Sequence, residues 1–147
     1  MKKINFLVLL SFIGLFSSCD DKAEMNYIYQ NNLAGSWKVT EQGSMNSQGG
    51  LDYEVYHNDA CGADVDNIVF NEDLTFAQND FSDATGSCQE TTVAGTYVQD
   101  NHSLTLTQVD QYGTVHTTLI TITKLDKTHL EYNYNQAGQL IFYKLER

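Results

Sequence analysis

The sequence predicts an all-β chain, a single antiparallel up-and-down β-barrel of about eight strands. Three observations predict it. From residue 33 onward no long stretch of the 147-residue chain carries the apolar period of an amphipathic helix. In its place stand short runs rich in Val, Ile, Thr, Tyr and Phe. Apolar and polar residues alternate along them, which leaves one strand face buried and the other wet. Between the runs lie short segments of Gly, Asn and Asp, with no proline anywhere. That is the chemistry of hairpin turns.

The elements follow in order. Residues 33–41 alternate, with Leu33, Gly35, Trp37 and Val39 on one face. After Ser47-Gln48-Gly49-Gly50, residues 51–57 set Leu51, Tyr53 and Val55 against Asp52 and Glu54. Runs at 67–70 and 74–81 flank a tight Asn71-Glu72-Asp73 turn, and a run at 91–98 follows. Residues 102–109 place Leu104 and Leu106 opposite Thr105 and Thr107. Residues 114–124 place Ile120 and Ile122 opposite Thr121 and Thr123. Residues 128–135 place Leu130, Tyr132 and Tyr134 opposite Glu131 and Asn133, and 138–145 close the chain. An open sheet of such strands would leave two unpaired edges, which closure into a barrel removes. A two-sheet sandwich is the other arrangement, and it needs longer crossing connections than this chain has.

Composition excludes several classes of protein. An apolar content of 41% with 12% aromatics is not that of a disordered chain. A net charge of −11 leaves no basic footprint for nucleic acid. The single long apolar run, at the N-terminus, excludes a polytopic membrane protein.

That run reads as a leader. Lys2 and Lys3 precede an apolar stretch from Ile4 to Phe16, then Ser17, Ser18 and Cys19. This is the layout of a secretory signal peptide over residues 1–18. Phe16-Ser17-Ser18-Cys19 resembles a bacterial lipobox. The resemblance implies that Cys19 is joined to diacylglycerol, released from the leader and N-acylated with a chain such as palmitate. Secretion with a free Cys19 is the other reading. Removing Lys2 and Lys3 with the leader takes the net charge from −11 to −13, so the lipid rather than charge would hold the protein on an anionic membrane. Residues 19–32 read as the lipidated cysteine and a flexible tether, and 33–147 as the barrel domain. Asp20-Asp21-Lys22 resembles the acidic signal that sends lipoproteins to the outer membrane's surface, and it also reads as a solvated tether.

Cys61 and Cys88 remain. In an exported protein two spare thiols pair, so a Cys61–Cys88 disulfide is expected. They lack the C-x-x-C spacing of a redox or metal pair.

Little catalytic or metal chemistry is visible. His57, His102, His116 and His129 stand apart in different segments and read as surface residues. Asp59, Asp64, Asp66 and Asp73 read as a solvated acidic region without EF-hand spacing. No nucleophile elbow or phosphate loop appears, so neither an enzyme nor a bound cofactor or metal is expected. An aromatic set of Trp37, Tyr53, Phe70, Phe76, Tyr97, Tyr132 and Phe142 reads as core or as the lining of a pocket.

One constellation resembles a known family. Leu33-Ala34-Gly35-Ser36-Trp37 carries the G-x-W opening of the calycin superfamily. With the lipobox, the tether, Leu74-Thr75-Phe76, Cys61, Cys88 and Gly95-Thr96-Tyr97, the chain resembles the small lipocalin-like lipoproteins of Gram-negative bacteria. The resemblance implies an eight-stranded barrel with Trp37 plugging its closed end, Gly35 admitting a neighbouring backbone, and the binding of a small molecule. The family's late-barrel arginine over the tryptophan has no counterpart within the last run, where Lys144 is placed to take its part. The one arginine, Arg147, is the last residue, and the family's T-D-Y turn is absent.

Two functions follow as expectations. One is a monomeric, membrane-anchored protein of the cell envelope that binds a small apolar or amphipathic molecule through Trp37, Tyr53, Phe76, Tyr97, Tyr132 and Phe142. The other is a filled barrel whose outer face contacts a protein or glycan at the cell surface. A cavity of about 300 Å³ or more would favour the first.

Overall fold

The alternating runs form nine strands in the computed structural model, which describes residues 32–56, 61–62, 65–83 and 86–147. The leader, Cys19 and nearly all of the tether lie outside the described residues, as do His57, Asp59 and Asp64. The strands are β1 (Gly35–Met45), β2 (Leu51–Val55), β3 (Asn67–Phe70), β4 (Thr75–Ser82), β5 (Gln89–Asp100), β6 (Ser103–Val109), β7 (Val115–Leu125), β8 (His129–Gln136) and β9 (Gln139–Glu146). Every pairing is antiparallel, and from β3 to β9 each strand pairs with the next. β1 pairs with both β3 and β9, so β1 and β3–β9 close an eight-stranded barrel. The barrel rather than the sandwich is the fold.

Carboxylate-led turns set the hairpins. Asp110 Oδ1 accepts from the Tyr112 and Thr114 amides at 2.9 and 2.8 Å. Asp126 Oδ1 accepts from the Thr128 and His129 amides at 2.8 Å each. An Asp side chain that bonds its own backbone two residues on is a local turn former. Those amide bonds, with help from the neighbouring side chains, hold the Asp126 carboxyl below the usual carboxylate range. The third turn differs from expectation. Leu74 does not start a strand but ends the turn at φ 65°, a left-handed conformation uncommon for leucine.

β2 and β3 are two halves of one strand position. Both run antiparallel to β1, β2 along its second half (Glu41 to Met45) and β3 along its first (Gly35 to Lys38). The two ends of the break still meet β1 side by side. The Tyr56 amide donates to Thr40 O at 2.8 Å, and the Val39 amide donates to Asp66 O at 3.0 Å. Between them in sequence lies Cys61, which is bonded to Cys88 just before β5, with Cα atoms 5.0 Å apart.

The core fills the lower half of the barrel. Leu33, Trp37, Phe70, Tyr97, Leu104, Ile122, Leu130 and Leu145 are all buried there. Gly95 makes room for it. A Cβ on Gly95 would lie 2.9 Å from Phe76 Cε1 and 2.1 Å from Thr107 O on the next strand. Only glycine lets β6 and the Phe76 ring approach so closely. Gly95→Ala is expected to lower unfolding stability by about 1–3 kcal/mol, the range for an overpacked core. Chemical denaturation checks it, and an unchanged midpoint would contradict the packing described.

Candidate functional site

Above the filled base the barrel holds a cavity of about 180 Å³. Its floor is apolar: Phe76 on β4, Leu106 on β6 and Ile120 on β7 point inward. One wall is a set of tyrosines, Tyr132 and Tyr134 from β8 and Tyr143 from β9. Tyr134 and Tyr143 stack with their ring planes 5° apart and centroids at 6.1 Å, and Tyr132 lies 5.5 Å from Tyr143. The facing wall carries Tyr56 and Asp66, at the two ends of the β2–β3 break, with Gln78 and Asp80 of β4. Gln108 and Thr118 complete the polar lining.

Asp66 is held by that break. Its Oδ2 accepts from the Tyr56 hydroxyl, and its Oδ1 accepts from the Phe81 amide at 2.7 Å. It is a buried carboxylate rather than part of a solvated acidic loop, because the broken strand turns it toward the barrel. Gln78 Nε2 donates to Asp80 Oδ1 at 3.0 Å. Burial first, then the hydrogen bond to Asp66 at Tyr56 and the neighbouring tyrosines at Tyr132 and Tyr143, push these three hydroxyls well above the ordinary phenol range. They are neutral hydrogen-bonding groups at any physiological pH.

The aromatic set expected to line a pocket divides. Phe76 and Tyr132 line the cavity. Trp37 and Tyr97 lie in the packed base. Tyr97 meets Phe70 edge-on at 5.2 Å, and its hydroxyl donates to Asn71 O at 2.8 Å. Tyr53 and Phe142 do not face the interior. Both stand opposite Gly43, and directly opposed residues share a sheet face. Gln42 and Ser44, opposite Tyr143 and Ile141, take the inward positions. For Tyr53 the cause is a bulge between Val39 and Glu41, which reverses the parity of β1 beyond Thr40. In β9, Leu145 stands opposite the inward Val39, so Ile141, Tyr143 and Leu145 face in and Phe142 faces out.

The same parity corrects the expected role of Lys144. Lys144 does not reach Trp37. It points outward, forms a 2.6 Å ion pair with Glu41 and sits 3.9 Å from the Tyr53 ring centroid. The cation over Trp37 is Arg147, with its guanidinium carbon 4.0 Å from the ring centroid. Its Nη2 donates to Asn32 O. Gly35 likewise admits a side chain rather than a backbone: a Cβ there would lie 3.2 Å from Arg147 Nη1. Trp37 is fully buried, and its Nε1 donates to Leu33 O at 2.8 Å.

Tyr56, Asp66, Asp80, Tyr134 and Tyr143 were not among the residues expected to bind a ligand. The Tyr132-x-Tyr134 alternation in β8 was a usable signal for one of them. Nothing local marks Asp66 or Asp80, which enter the wall through the strand break and the β4 register. Among the described residues no group of three or more His, Cys, Asp or Glu converges as metal ligands do.

Comparison with protein families matches residues 33–136, most of the chain, to the lipocalin-like domain. The chain belongs to the lipocalin-like domain family. Solved structures to which the chain is similar include a lipocalin-like protein from Bacteroides uniformis. It is 13% identical with a TM-score of 0.48, over 79% of this chain and 98% of that one. The bovine lipocalin allergen Bos d 2 is 11% identical with a TM-score of 0.49, over 80% and 74%. Bovine odorant binding protein, solved with a selenium-containing odorant, is 16% identical with a TM-score of 0.46, over 80% and 71%. No curated protein matches the chain. Within this lipocalin-like barrel the cavity is neither filled solid nor as large as the roughly 300 Å³ at which small-molecule sites begin.

Proposed function

We propose that this lipocalin-like protein is a binding protein for a small amphipathic molecule, carried at the cell envelope on a lipidated Cys19. The observation that carries the ligand reading is the cavity, with an apolar floor of Phe76, Leu106 and Ile120 beneath walls of tyrosine, carboxylate and amide groups. An apolar body would rest on the floor, and polar atoms would be met by groups already in place. At about 180 Å³ it has the volume of roughly six waters of the liquid, so the ligand is compact. The anchor reading rests on Phe16-Ser17-Ser18-Cys19, and the outer membrane of a Gram-negative envelope on the resemblance and the acidic residues that follow. Binding rather than catalysis suits a wall in which the described groups are phenols, amides and carboxylates without a nucleophile and base in line.

A second reading has its own observation. On the outer face, Met45 pairs with Leu51, and these stay 47% and 46% exposed beside the Tyr53 and Phe142 positions. That apolar strip suits contact with a protein or glycan.

Mass spectrometry of the protein purified gently from its native membrane tests the main reading. The expected masses are those of an acylated Cys19 N-terminus and of a non-covalent complex with one small molecule. Cys19→Ala is expected to abolish labelling by a fatty-acid analogue. Continued labelling of that variant would refute the anchor, and a ligand-free native mass would count against the cavity.

A further inference from the structure

We infer that the cavity selects a phenol, one aromatic ring carrying an uncharged hydroxyl. The inference deepens the small-ligand reading above and rests on it. The barrel interior changes character at one level. Going up β6, the inward side chains run Leu104, Leu106, Gln108, and going up β7 they run Ile122, Ile120, Thr118. The two lower residues of each strand are buried, whereas Gln108 and Thr118 are half-buried. Leu106 stands opposite Thr118, so the neighbouring strands turn from apolar to polar within one step of each other. Gln108 and Thr118 line the cavity, as does the half-buried Tyr132 of β8.

No hydrogen bond joins the Gln108 amide, the Thr118 hydroxyl or the Tyr132 hydroxyl to any described residue. Each of these groups is uncharged and can both donate and accept. A ligand hydroxyl does the same, so it can answer any of them. A carboxylate only accepts and an ammonium only donates. A ring without a polar atom would displace water from these groups and return no hydrogen bond, which costs affinity.

Volume and wall chemistry set the rest of the ligand. A cavity of about 150 Å³ lined by apolar side chains accepts one benzene ring, and this one holds about 180 Å³. One ring with one or two further heavy atoms fills it. Phe76 lies in the floor, and Tyr132, Tyr134 and Tyr143 form a continuous set of rings along one wall. A flat aromatic ring packs on such surfaces by stacking or edge contact, which a puckered ring does less well.

Isothermal titration of the purified full-length mature chain at neutral pH tests this with three probes of nearly one size. They are p-cresol, toluene (no hydroxyl) and 4-methylcyclohexanol (no aromatic ring). The affinity for p-cresol is expected to exceed each of the others by about fivefold or more. Thr118→Val and Tyr132→Phe each remove one hydroxyl at nearly constant shape. Each is expected to weaken p-cresol by about threefold or more and toluene by less than about twofold, with the fold checked by circular dichroism. Toluene or 4-methylcyclohexanol binding as tightly as p-cresol would overturn the phenol assignment while leaving the small-ligand reading standing. So would a p-cresol affinity untouched by both variants, or equal losses for p-cresol and toluene. No binding of any probe to the folded protein would also overturn the assignment. A ligand-bound native mass would then still support a small ligand, and a ligand-free one would end both readings.

Discussion

Trp37→Ala is expected to lower unfolding stability by about 3–5 kcal/mol, the range for truncating a buried tryptophan. That is a large part of the ~5–15 kcal/mol a domain of this kind has, so the variant unfolds or sits close to it. The ring is fully buried, and its Nε1 hydrogen bond to Leu33 O holds the segment entering β1 against the barrel base. Removing it opens a void among the residues of the base and leaves that carbonyl without its donor. Two controls separate the ring from its cation. Arg147→Met should remove only the cation–π attraction, about 0.5–2 kcal/mol. It should also shift the emission of Trp37, the only tryptophan. Lys144→Met should leave that emission unchanged, because Lys144 lies over Tyr53. A shift with Lys144→Met and none with Arg147→Met would refute the arrangement of the base.

Cys61→Ser is expected to lower stability by about 3.5 kcal/mol, the chain-entropy value for a loop of this length. The closed loop spans 27 residues of sequence and holds β3 and β4. It also ties Cys61, between β2 and β3, to Cys88 at the start of β5. Denaturation of wild type and variant, each with and without reductant, checks it. Reductant should bring the wild type down to the variant and leave the variant where it is. A wild-type midpoint insensitive to reductant would count against the bond.

The two predictions concern different halves of the molecule. Trp37 belongs to the buried base of the barrel. The disulfide belongs to the half in which the strand order is broken, and the break brings a buried carboxylate to the cavity.

Much of the fold was legible in the sequence because its cause is local. Strict alternation in the runs that became β6, β7 and β8 pairs apolar residues with threonine, asparagine or glutamate. Such strands have only one face fit for burial, so their inward residues follow from pattern alone. Asp110 and Asp126 announced their turns because the bonds they make lie within three or four residues. Counting thiols led to the Cys61–Cys88 bridge. The inward face of β9 was not legible, since Leu140 and Phe142 alternate with Ile141, Tyr143 and Leu145 and either set is fit for burial. Pairing with β1 made the choice, Leu145 opposite Val39, and the one-residue bulge beyond Val39 sent Tyr53 outward with Phe142. The same geometry took Lys144 from Trp37 and put Arg147 in its place. Local pattern therefore determined the barrel, its turns and its buried tryptophan. Register and the strand break, which depend on partners far away in sequence, decided the faces of the ambiguous strands and hence the cavity, its tyrosines and its two carboxylates.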